Sequence, residues 1–129
     1  MPLPRDPLFA LQDIAESAEA IADYTAGVDE EAFFADPMRR DAVERRFMTI
    51  GEALTRLERA APELAARIPM LRKAVGFRNI LAHDYDDIDF EIVRSAALHS
   101  VPELRRTVEA LLAELDSAPP PPSADREEK

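Results

Sequence analysis

The chain has 129 residues, a formal net charge of −10 and 47% hydrophobic residues, which is the size of one domain and too hydrophobic for a disordered chain. It contains no cysteine, which excludes disulfides, thiolate metal sites and a cysteine nucleophile. No apolar run approaches the roughly 20 residues that span a membrane and no signal-peptide pattern is visible, so the sequence predicts a cytoplasmic protein.

The first predicted element is a helix that starts with Asp6 as its N-cap and Pro7 in its first position. Gly27 is the predicted stop, because glycine tolerates the left-handed conformation that ends many helices. Apolar residues recur at spacings of three and four between these points, which predicts one buried face. That face carries Leu8, Leu11, Ile14, Ala18 and Ile21.

Two further helices are predicted next, each beginning at an aspartate N-cap. The first is short and covers 29–35, and its Phe33 and Phe34 are expected to contact the core. The second covers 36–60, and Gly51 inside it costs about 1 kcal/mol relative to alanine. A close approach of another helix would explain that glycine, and so would ordinary sequence drift. Core spacing in the long helix selects Phe47, Ile50, Leu54 and Leu57.

The remaining helices are predicted over 70–82 and 90–115, the second with a bend at Pro102. Four main helices joined by short connectors predict an all-α, antiparallel four-helix bundle with short additional helices. This helical domain is expected to cover 1–116. A run of four prolines followed by charged residues predicts a disordered tail over 117–129.

Charge is unevenly distributed along the chain. Residues 1–36 carry net −8, residues 37–82 carry net +5 from ten bases and five acids, and residues 83–129 carry net −7. A basic segment inside an acidic chain is a candidate for phosphate binding, although its arginines also suit a solvated helix face paired with Asp41 and Glu44. The RNA-binding candidates are Arg39, Arg40, Arg45, Arg46, Arg72 and Lys73.

One stretch brings four chemically useful side chains together, from Arg78 to Tyr85. Arginine offers a planar fork for a phosphate, and histidine takes or gives a proton near neutral pH. Asn79 lies four residues before His83 and could orient its imidazole. Arg78 and His83 are five residues apart, about 140° around a helix. A site using both therefore needs a frayed helix end or a second copy of the chain.

Each of these residues also has a purely structural interpretation. An arginine and a histidine near a helix end often serve as C-cap and dipole partners, and Tyr85 could simply pack. His99 is interpreted as structural, on the core side of the last helix. The acidic run over 84–89 could bind a divalent ion, but such clusters more often cap a helix, so no metal site and no cofactor are predicted.

The motif residues Arg78, His83 and Tyr85 match the R-x-x-x-x-H-x-Y pattern of the HepT-like proteins, a branch of the HEPN superfamily. The segment Ile50–Ala53 also resembles the I-G-E-A sequence that recurs on the preceding helix of that family. The order of the helices over 8–115 is similar as well. A tryptophan common before the family's motif helix is absent from this chain.

The resemblance implies a dimerising helical toxin of a toxin–antitoxin pair that cuts RNA without a metal ion. It implies that Arg78 and His83 are the catalytic pair and that Asn79 is the polar residue that often follows the arginine. It also implies a partner antitoxin of the MNT nucleotidyltransferase type, which transfers AMP from ATP to Tyr85. Two alternatives remain: a non-catalytic helical module that binds a nucleotidyltransferase, or a nucleotide-binding subunit.

Overall fold

The structure is a computed structural model and describes residues 5–83 and 89–117. Within these ranges the regular elements are all helical and no strand occurs, which confirms the all-α class. The helices are α1 (Arg5–Thr25), α2 (Glu30–Phe34), α3 (Pro37–Ala60), α4 (Pro62–Ala65), α5 (Leu71–His83), α6 (Phe90–Ser95) and α7 (Val101–Ser117), with a π-helical turn over Ala96–Ser100 between α6 and α7.

Aspartates begin three of these helices, as the sequence predicts. The carboxylates of Asp29, Asp36 and Asp89 each accept a hydrogen bond from a backbone N–H two or three residues later, at 2.8, 3.1 and 3.0 Å. Such bonds satisfy a helical donor that has no partner within the helix. The prediction that Asp6 is the N-cap of α1 is wrong, because the helix already begins at Arg5. Asp6 instead lies in the first turn, where its negative charge favours the helix dipole.

The core is built from the apolar faces of the long helices. The predicted stripe of α1 is buried from Leu11 to Ile21, and Gly27 adopts a positive φ of 71° just beyond the end of the helix. In α2 the prediction is half right, since Phe33 is fully buried whereas Phe34 is 40% exposed. Adjacent side chains of a helix point in different directions, so this short helix can turn only one of its two phenylalanines toward the core. The four predicted core residues of α3, Phe47, Ile50, Leu54 and Leu57, are all buried.

The last predicted helix is divided by the π-helical turn, which Val101 closes by donating its N–H to the carbonyl of Ala96. Pro102 follows immediately and has no N–H to donate. The change between π-helical and α-helical hydrogen bonding therefore occurs next to a residue that cannot donate a backbone hydrogen bond. The wider turn also shifts which residues face the core. Ala97 and Val101 are buried while His99 is exposed, so the placement of His99 on the core side is wrong.

Contacts between helices give their directions. Arg56 of α3 donates to Asp13 of α1 at 2.7 Å, and Arg39 near the start of α3 donates to the carbonyl oxygen of Tyr24 near the end of α1 at 2.5 Å. The two helices are therefore antiparallel. Helix α1 also packs against α7, and α3 packs against α5. None of the described helices is both long and apolar enough to cross a membrane.

Some predictions stay untested. The closed four-helix arrangement, the domain limits 1–116 and dimerisation remain predictions of the sequence. The predicted tail over 117–129 lies outside the described residues apart from Ser117, where α7 ends.

Candidate functional site

Helix α5 presents Arg78 to α3 rather than to open solvent. A methyl group built on Gly51 of α3 would lie closer than 3.0 Å to the Arg78 Cβ and 2.5 Å from its Cγ. The two helices therefore approach so closely that only a glycine fits opposite the arginine stem. The rings of Phe47 and Phe77 meet edge to face at 5.0 Å on the same pair of helices. The close-approach explanation for Gly51 is confirmed.

The Arg78 guanidinium lies at the edge of this contact. Its Nη2 donates to Glu52 Oε2 at 3.1 Å, and its Nη1 donates to Asn79 Oδ1 at 3.3 Å. The Arg78 side chain is 28% exposed, so part of the cation still reaches solvent. Its Nε is buried and has no hydrogen-bond partner in the described part of the chain. The group is thus anchored on one side and accessible on the other.

His83 is the last residue of α5 and is exposed. Because α5 includes both residues, Arg78 and His83 keep the offset of about 140° that five helical residues impose. The structure therefore does not bring the two side chains to one face of a single chain. Asn79 Oδ1 accepts a hydrogen bond from Arg78, and the described contacts include none between Asn79 and His83.

Tyr85 and the acids Asp84, Asp86 and Asp87 lie outside the described residues, which resume at Asp89. The roles that the sequence assigns to these residues stay predictions.

The predicted RNA-binding residues fall into two groups. Three of them have partners within the chain. Arg39 pairs with Asp36 at 3.2 Å, Arg72 pairs with Glu58, and the Arg40 guanidinium lies 4.4 Å from the centre of the Phe90 ring. The remaining three are Arg45 and Lys73, which are exposed, and Arg46, which is half-buried.

The pairing of α3 with α5 places some of these charges near His83. Glu58 contacts Arg72 and Glu52 contacts Arg78, six residues apart on each helix in opposite directions, so the helices are antiparallel. The same register can be extended five residues further, from Arg78 to His83 on α5 and from Glu52 to Phe47 on α3. His83 at the end of α5 therefore lies at a level along the two helices similar to that of Arg45 and Arg46 of α3.

Comparisons with known proteins place this arrangement in a family. The family model described as "Ribonuclease HepT-like" matches residues 14–111, which is most of the chain. The chain belongs to the HepT-like family. It is 34% identical over 105 residues to a protein of Methanocaldococcus jannaschii named "Putative RNase", covering 81% of this chain and 95% of that relative. It is 31% identical over 101 residues to "Probable ribonuclease HepT" of Thermococcus cleftensis, covering 78% and 91%. No solved structure matches the chain at a significant level.

Two features of this HepT-like chain were missed by the sequence analysis. The first is the contact of Glu52 with Arg78. The resemblance of Ile50–Ala53 to the family's I-G-E-A sequence is the signal that could have indicated a role for Glu52. A cavity of about 290 Å³ also opens between α3, α5 and the segment from α6 to α7. Its walls include Phe47, Met70 and Phe77. Its formation depends on how three helices meet, which no local pattern specifies.

Proposed function

We propose that this protein is a metal-independent endoribonuclease and the toxin of a toxin–antitoxin pair, with Arg78 and His83 as its catalytic residues. The setting of Arg78 is the observation that supports this most. A partly exposed guanidinium, held by two side-chain contacts beside a close helix crossing, suits the binding of a phosphate by a fixed cation. The family and the names of its relatives agree with this activity.

The proposed reaction uses the 2′-hydroxyl of RNA as nucleophile. A histidine takes the proton of the 2′-hydroxyl as its oxygen forms a bond to the adjacent phosphorus, and the bond from phosphorus to the 5′-oxygen breaks. The leaving 5′-oxygen takes up a proton. Arg78 stabilises the negative charge that builds up on the phosphoryl oxygens. The products are a 2′,3′-cyclic phosphate and a 5′-hydroxyl, and DNA is not cut because it lacks the nucleophile.

The proposed active unit is a homodimer. Since Arg78 and His83 lie on different faces of α5, one chain does not by itself present both to one phosphate. A second copy that faces the first across α5 supplies the missing side chain. Two large apolar side chains are exposed on α5 and α6, Ile80 at 53% and Ile92 at 55%, and exposed apolar groups favour contact with another chain.

The proposed neutralisation is AMP transfer from ATP to the hydroxyl of Tyr85 by a nucleotidyltransferase antitoxin, in which the hydroxyl oxygen bonds to the α-phosphorus and pyrophosphate leaves. Tyr85 follows His83 by two residues in the sequence, so the proposed modification adds a bulky, negatively charged group two residues from the histidine. Such an adduct excludes and repels an incoming RNA phosphate. Treatment with the partner and ATP should add the mass of one AMP per chain, and Tyr85→Phe should prevent the addition.

A pair of histidine variants tests the proposed activity. His83→Ala should abolish RNA cleavage and growth arrest while circular dichroism and the melting temperature stay those of the wild type. His99→Ala is the matched control, because it removes the other histidine of the chain, also exposed, and should leave cleavage intact. Cleavage should persist in EDTA. An H83A variant that still cuts RNA contradicts the assignment.

One observation favours a second function, a non-catalytic module that binds a nucleotidyltransferase. Arg78 packs on Gly51 and pairs with Glu52, which is also how a purely structural arginine behaves. A stable complex with the nucleotidyltransferase, with no RNA cleavage by the unmodified protein, would select this alternative.

A further inference from the structure

The contact between α3 and α5 fixes Arg78 at two levels. At the stem, Gly51 leaves no room for a side chain, so the Arg78 Cβ and Cγ rest against the backbone of α3. At the head, Glu52 accepts from Nη2 and Asn79 accepts from Nη1. Two adjacent residues of α3 thus hold the beginning and the end of one long side chain.

This arrangement uses few of the donors of the guanidinium. An arginine carries five N–H donors, and these contacts engage one on Nη2 and one on Nη1, while the buried Nε lacks a partner in the described residues. The other hydrogens of Nη1 and Nη2 have no partner among the described residues, and the Arg78 side chain is 28% exposed. The carboxylate of Glu52 therefore orients the guanidinium while it engages only one of the N–H donors that could bind a phosphate.

We propose that Glu52 is a positioning residue that holds Arg78 in the orientation needed at the reacting phosphate, with Gly51 providing the slot for its stem. This inference rests on the proposed ribonuclease function. A free arginine side chain samples many rotamers, and restricting them before the substrate arrives lowers the entropic part of the barrier. Loss of Glu52 should therefore lower kcat more than it raises KM.

The chain provides a matched control for the effect of the ion pair itself. Glu58 lies six residues after Glu52 on α3 and pairs with Arg72 on α5. Both pairs join the same two helices near the surface, with Glu58 36% and Glu52 52% exposed. Such pairs add little to stability. Of these two glutamates, Glu52 contacts Arg78 and Glu58 does not, so a difference between E52Q and E58Q isolates the positioning effect from helix packing.

The experiment compares the wild type, E52Q, E52D and E58Q in steady-state RNA cleavage, with thermal melts to establish folding. E52Q should lower kcat about tenfold with KM within about twofold, E52D should recover part of the loss because it keeps the charge, and E58Q should leave kcat unchanged. Equal kcat losses in E52Q and E58Q would overturn the proposal, and so would wild-type kcat in E52Q.

A second measurement does not depend on activity. The Nε–H resonance of Arg78, assigned by its disappearance in R78K, reports how rigidly the guanidinium is held. Its order parameter should fall in E52Q and stay unchanged in E58Q. If the wild type does not cut RNA, the proposed function fails, and this signal alone then decides the positioning of Arg78. An unchanged order parameter in E52Q contradicts it.

Discussion

Gly51 and Gly76 are both helical glycines, but they meet different surroundings. A side chain at Gly51 would collide with the stem of Arg78, whereas a Cβ at Gly76 would meet no neighbouring side chain or helix of the described residues within 4 Å. The collision involves atoms next to the backbone of α5, which a rotamer change cannot move away. Gly51 therefore sets the distance between α3 and α5, and Gly76 does not set any distance.

Alanine substitutions at the two glycines should have opposite effects. Gly51→Ala should destabilise the protein by about 1–3 kcal/mol through overpacking and should impair RNA cleavage by displacing Arg78. Gly76→Ala should raise stability by up to about 1 kcal/mol, since alanine favours a helix over glycine. Urea unfolding measures both changes. Equal stability changes in the two variants would contradict the close contact at Gly51.

Glu44 is an acid in an unfavourable environment. Burial raises the pKa of its carboxyl above the ordinary value of 4.5, the negative charge of Asp41 raises this pKa further, and Arg40 only partly opposes them. A raised pKa in the folded state means that ionisation of Glu44 destabilises the fold as the pH rises through this pKa. Below pH 4.5 the group is neutral in both the folded and unfolded states and the penalty disappears.

Glu44→Gln should therefore raise the melting temperature at pH 7 and change it little at pH values below the ordinary pKa of 4.5. Asp41→Asn should give a smaller gain at pH 7, because it removes only the repulsion and leaves the burial. Scanning calorimetry at both pH values measures these shifts. A lower melting temperature of E44Q at pH 7 would show that Arg40 stabilises the carboxylate more than burial and Asp41 destabilise it.

At the scale of the helices, the sequence predicts a helix and its boundaries correctly where an N-cap residue and a regular spacing of apolar residues occur together. The boundaries of α3 follow from the aspartate–proline pair at 36–37 and a core period that continues to Leu57, and both are confirmed. The segment after Phe90 was harder to predict. Its apolar spacing fits one long helix, and a π-helical turn of five residues interrupts that pattern. Pro102 signals an irregularity, but not its form or the exposure of His99.

The stability of the α1–α3 pair should depend on its buried face and hardly on its surface charges. Leu54 is fully buried, so Leu54→Ala should cost about 2–5 kcal/mol through lost transfer energy and the cavity left behind. Asp13 pairs with Arg56 across the same two helices with 44% of its side chain exposed, so Asp13→Asn should cost less than about 1 kcal/mol. Chemical unfolding measures both. A larger loss in D13N than in L54A would contradict this.

At the scale of the whole molecule, the sequence predicts which residues form the candidate site but not how they are supported. The sequence predicts Arg78 on the helix over 70–82 and His83 directly after its end, and α5 extends one residue further to include His83. The contact of Arg78 with Gly51 and the stacking of Arg40 on Phe90 join residues 27 and 50 positions apart. Such contacts depend on the register between helices, which a local pattern does not encode.

The offset between Arg78 and His83 leads to a prediction about the assembled enzyme. If each active site takes its arginine from one chain and its histidine from the other, R78A and H83A chains should complement each other. Separately, each variant should be inactive. In a random mixture half of the dimers contain one chain of each kind, and each such dimer has one intact site of two. The mixture should therefore recover roughly a quarter of the wild-type rate.

The measurement is RNA cleavage after the two variants are unfolded and refolded together, with native mass spectrometry to establish that mixed dimers have formed. The matched control is a mixture of H83A with an R78A/H83A double variant, which forms dimers without any complete site and should stay inactive. Mixed dimers without cleavage would mean that one chain must supply both residues. Since α5 runs unbroken through His83, that outcome requires the helix to unwind when RNA binds.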